Sequence, residues 1–147
     1  MEQNQNLLDA DLQIDSVAHG YLAETAKWAN FLSIVGFVVS GLMAIAAIFI
    51  GTLLNERSGY GYGAYAQIGA GFITAIYLII AAIGFFASYY LNKFAVRMKA
   101  ALTANDQNAM NDSFANLKSL FKLWGILTII YLAFIVLGIL VSIGGSI

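Results

Sequence analysis

The sequence predicts an all-α membrane protein: three transmembrane helices with cytoplasmic helical extensions, two of which form an αα-hairpin between spans 2 and 3. Three observations carry this. Of 147 residues, 61% are hydrophobic and only 10% are charged, against roughly 25% charged in soluble domains. Three long stretches hold no ionisable side chain. There is no proline anywhere, which suits long unkinked helices.

The central stretch runs from Phe72 to Leu102. Its first part, Phe72 to Phe86, is a predominantly apolar run with no charged side chain. It then passes through Tyr89 and Tyr90 into Lys93, Arg97 and Lys99 with no glycine or proline to stop it. One helix is expected to leave the bilayer through an aromatic belt, where tyrosine prefers the interface, and to continue as a basic amphipathic rod.

Around this helix the chain divides into a flexible acidic tail, residues 1–14, and one membrane domain, residues 15–147. Asp15 or Ser16 can cap the first helix by accepting its free N–H groups. Val17, Tyr21, Trp28, Leu32 and Val35 then recur at helical spacing. Residues 28–54 form the first span; about 20 apolar residues suffice to cross the roughly 30 Å hydrocarbon core. Within it Ser33, Gly36, Ser40, Ala44, Ala47 and Gly51 form a stripe of small residues. Such stripes let membrane helices approach closely, and Gly36, Ser40 and Ala44 are the expected helix-packing contact. The stripe leaves open whether the partner helix belongs to the same chain. Asn55 to Gly63 reads as an interfacial turn rich in glycine and tyrosine, and the second span covers residues 66–90.

Residues 91–122 are the expected hairpin outside the membrane. Leu91, Phe94, Met98 and Leu102 share one face of the outgoing helix. Thr103 or Asn105 can cap the return helix, with Asp106 favourably placed at its positive end. Met110, Phe114, Leu117, Phe121 and Trp124 then recur in steps of four and three, a heptad-type seam. The third span covers residues 123–145, with Gly125, Gly138 and Ser142 as small contacts.

Basic residues near span ends set orientation. Lys93, Arg97, Lys99, Lys118 and Lys122 all lie between the second and third spans, whereas the first connection has only Arg57. This places the N-terminus and the hairpin in the cytoplasm and the C-terminus outside. All three helices would then protrude on the cytoplasmic side as a small bundle. The same five basic residues are candidates for contact with anionic lipid headgroups.

Chemistry is sparse. There is no cysteine, so thiolate sites and disulfides are out. The net charge of -1 offers no basic excess for nucleic acid. His19 is the only histidine, and a metal site on it would need Asp15 or Glu24. No catalytic constellation, cofactor motif or metal-ligand set is recognisable, and the absence of intramembrane charge argues against a proton-coupled carrier.

The segments Tyr21-Leu22-Ala23-Glu24-Thr25-Ala26-Lys27-Trp28, Asn105-Asp106-Gln107, Asn116-Leu117-Lys118-Ser119 and Trp124-Gly125-Ile126-Leu127-Thr128 resemble those of a family of small integral membrane proteins of Bacteroidetes-type bacteria with no assigned activity. The resemblance implies an inner-membrane location and carries no catalytic residues with it. The expected role is a non-enzymatic membrane component, self-assembling or an accessory subunit of a larger complex, in contact with lipids and with membrane proteins. The alternative is an oligomeric channel or lipid-handling transporter, which would have to be lined by polar residues such as Gln67, Thr74 and Thr128.

Overall fold

The computed structural model describes residues 15–58 and 63–144. The acidic tail, positions 59–62 of the glycine-tyrosine turn and the last three residues lie outside the described residues. Three long helices follow one another: α1 (Ser16–Ser58), α2 (Gly63–Ala104) and α3 (Gln107–Gly144). Each contains a stretch long and apolar enough to cross a bilayer. This is the architecture of a multi-pass membrane protein.

Local chemistry explains the helix ends. Asp15 caps α1: its Oδ1 accepts the N–H of Ala18 at 2.7 Å, and its carbonyl accepts the N–H of His19 at 2.9 Å. At the end of α2 Asn105 takes a left-handed conformation, φ 49°, which asparagine tolerates better than most residues. The N–H of Asp106 then donates to the carbonyl of Ala101 at 3.1 Å, the six-to-one bond of a Schellman ending. Asp106 itself starts α3. Its Oδ1 accepts the N–H groups of Asn108 at 2.9 Å and Ala109 at 3.2 Å. The cap of α3 is therefore Asp106, not Thr103 or Asn105. Thr103 is still inside α2, with its hydroxyl donating to the Lys99 carbonyl at 2.8 Å, and Asn105 supplies the turn.

α1 and α3 both pack on α2, but their backbones do not approach each other. A closed three-helix bundle is therefore not formed. The reason lies in α2, which offers two different faces. Ala81, Gly84, Ser88 and Ala95 serve α1, whereas Phe94 and Ala101 serve α3; on a 3.6-residue helix these directions are roughly a third of a turn apart. Phe94 and Met98 fill the angle between them. Together with Ala26, Ala29 and Ala95 they form the main core, against which Leu22 of α1 and Leu117 of α3 both pack. A smaller cluster of Ala101, Ala109 and Met110 closes the α2–α3 turn.

The seam of α3 is rotated from its expected position. Met110 and Leu117 do face α2, but Phe114, Phe121 and Trp124 are 43%, 67% and 53% exposed. The inward positions are Ala109, Ser113 and Leu120 instead. Ser113 decides this: fully buried, it donates to the carbonyl of Phe94 at 2.9 Å. A small side chain with a hydrogen bond draws the two backbones together, and a phenylalanine at that contact would hold them apart.

Candidate functional site

The closest contacts in the molecule run along α1 and α2. Ser33, Ser40 and Ala47 of α1 are buried, spaced seven apart, as are Ala81, Ser88 and Ala95 of α2. A seven-residue repeat keeps one face turned toward its partner along a shallow left-handed crossing. The glycines show how near the backbones come. A Cβ at Gly36 would collide with the hydroxyl of Ser88. One at Gly84 would lie 2.7 Å from Oγ of Ser40, and one at Gly51 would lie 2.6 Å from Oγ1 of Thr74. Gly36 and Ser40 thus face α2 of the same chain, and Ala44 is half-buried between Ser40 and Ala47. Thr74 sits in this seam, against α1.

At the end of the seam nearest the basic residues lies a polar node. Asn92 Nδ2 donates to Oγ of Ser33 at 3.1 Å and reaches Oδ1 of Asn30 at 3.5 Å. The Ser33 hydroxyl donates in turn to the carbonyl of Asn30 at 2.7 Å. Ser88, one turn deeper, returns its hydroxyl to the Gly84 carbonyl at 2.8 Å. Among the described residues no buried side-chain polar atom lacks a hydrogen-bond partner. Asn30 and Asn92 are an interhelical pair that sequence reasoning missed. The signal was present: each is an amide at the aromatic level of its helix, two residues from Trp28 or Tyr90.

The basic residues fall into distinct settings. Lys93 lies over the ring of Tyr89, 4.8 Å from its centroid. Arg97 of α2 pairs with Asp112 of α3, Nη1 to Oδ2 at 3.7 Å. Both partners are exposed, so the pair contributes little. Lys99, Lys118 and Lys122 are exposed. On α3 the last two alternate with the exposed rings of Phe114, Phe121 and Trp124. His19 Nε2 donates to the carbonyl of Leu102 at 3.3 Å, and Asp15 is engaged as a cap. No group of three or more His, Cys, Asp or Glu side chains among the described residues could hold a metal ion. The side chain of Gln67 lies outside the described residues.

A family model described as "Family of unknown function (DUF5362)" matches residues 62–143. The chain belongs to this family. The match to DUF5362 takes in α2, the Asn105–Asp106 turn and α3, that is, the helix at the centre of the fold and the one beside it in sequence. No curated protein matches the chain. No solved structure matches it.

Proposed function

We propose that this protein is a non-enzymatic component of a bacterial inner membrane, assembling with itself or serving as an accessory subunit of a larger membrane complex. The observation that carries this reading is the apolar half of α3. Every residue from Thr128 to Ile143 is exposed, so this half of α3 presents a broad open surface. The α1–α2 seam, by contrast, is filled from inside. The contact proposed is on α3, where Gly125 and Gly138, like Gly41 of α1, have open space around them and would let a second backbone approach.

The test is Gly138→Leu, followed by mass measurement of the gently extracted particle. A smaller particle is the expected result. An unchanged mass, with the protein still folded, removes assembly through this part of α3.

The proposed orientation puts the N-terminus and the α2–α3 turn in the cytoplasm, following the basic residues of the second connection. A cysteine at Asn105 should then resist an impermeant thiol reagent in intact cells; labelling from outside would reverse the orientation. A lipid-handling role is the second reading, favoured by the lysines and rings of α3. It calls for lipid or solute movement in liposomes above that of empty vesicles.

A further inference from the structure

The lysines that bound the apolar part of each helix do not lie at one height along the helices. Antiparallel pairing sets the register. Ser33 is bonded to Asn92 and Ser40 lies against Gly84, so Lys27 is level with α2 near Arg97. Ser113 is bonded to Phe94, so Lys122, further along α3, is level with α2 near Phe85. Between Lys27 and Lys122 the difference is about twelve residues, roughly 18 Å of helix rise. Lys93 of the middle helix falls between them. The drop follows the order of the row: α1 highest, α2 next, α3 lowest.

Were the helices upright with Lys27 at the surface, Lys122 would lie near the middle of a roughly 30 Å core. An unpaired lysine there is unfavourable. Inclining the row removes this cost. Packed helices are about 8–10 Å apart, so α1 and α3, on separate faces of α2, are about 16 Å apart. A drop of about 18 Å across that distance is levelled by an incline of about 48°. The length of α1 gives a second measure. Its uncharged residues 28–54 extend about 40 Å, and they fit the core at an incline of about 40°. The two measures fall within about 10° of each other. They lie at and just beyond the steep end of the roughly 0–40° range seen for membrane helices.

We infer that the three helices cross the bilayer at a steep common incline that brings Lys27, Lys93 and Lys122 into one headgroup plane and rests the Phe114–Trp124 side of α3 on anionic phospholipid headgroups. Phe121 and Trp124 are exposed because their rings enter the acyl boundary, with Phe114 above them at headgroup level, while Lys118 and Lys122 reach the phosphates beside them. Alternating rings and lysines are the composition of interfacial helices. This inference rests on the membrane-spanning reading and goes beyond it.

The chain has no cysteine, so single spin labels can be placed in the full-length protein. Phe31 and Ile126 are exposed and lie similarly far inside Lys27 and Lys122. Labels there, in vesicles of phosphatidylethanolamine and phosphatidylglycerol, should report depths within about one helical turn, ~5 Å, of each other. An Ile126 label deeper than the Phe31 label by roughly 15 Å or more overturns the incline. A label at Ile45, midway along α1, should be accessible to oxygen in either case; water accessibility there would instead sink the spanning reading. In K118Q/K122Q the Ile126 label should move deeper and fewer phosphatidylglycerol molecules should stay bound in native mass spectra. If neither changes, the headgroup contact is wrong.

Discussion

Along the middle of the α1–α2 seam the buried residues are alanine and serine, with glycine and threonine beside them and Phe37 against Phe85 at the flank. Along α3 beyond Leu127 the residues are mostly isoleucine, leucine, valine and phenylalanine, and those from Thr128 to Ile143 are exposed. The two regions are about equally greasy, so hydropathy does not distinguish them. What differs is side-chain size. In hydrocarbon, burial of apolar surface gives two helices no reason to associate. Close packing and hydrogen bonds do, and only small residues allow both. Along the α1–α2 seam, as at Ser113 between α3 and α2, backbones come within reach of a neighbouring hydroxyl. The free half of α3 is built to face acyl chains, with isolated glycines where another helix could come in.

One substitution made in both regions tests this difference most strongly. Gly36→Leu places a branched side chain where the Ser88 hydroxyl already lies. It should destabilise the α1–α2 pair by about 3 kcal/mol or more, read as a lower denaturation midpoint in mixed micelles. Gly138→Leu, in open space, should leave that midpoint unchanged. Equal effects at the two sites would erase the distinction.

A smaller effect is expected where α3 leaves α2. Asp106→Ala removes the acceptor of two N–H groups at the start of α3 and should cost about 1 kcal/mol. Amide hydrogen exchange at Asn108 and Ala109 should rise while the α1–α2 seam stays protected. Exchange rising equally throughout would mean that α3 and the seam form a single cooperative unit.

Next comes the polar node. Asn92→Ala removes the amide shared with Ser33 and Asn30. Interhelical hydrogen bonds in membrane proteins average about 0.6 kcal/mol, and a loss of that order is expected in the same micelle assay. A cost several times larger would show that polar contacts, rather than small-residue packing, hold the seam. The least effect belongs to Arg97→Gln, which breaks an exposed ion pair and should change stability by less than about 0.5 kcal/mol.

Much was legible without coordinates. Three uncharged stretches, Asp15 before the first helix, an Asn105-Asp106 break and the stripe through Gly36 and Ser40 can all be read from residue types within a few positions of one another. These are local properties: hydropathy, capping and backbone freedom act over one or two turns. The tertiary structure decided the rest. It chose the helix that the stripe faces, and joined Asn30 and Ser33 to Asn92. It turned Ser113 rather than Phe114 toward α2, kept α1 and α3 apart, and set Lys122 far below Lys27. Each of these is a relation between residues distant in sequence. Small-residue packing and hydrogen bonding act between surfaces, so their outcome depends on which two surfaces meet and in what register.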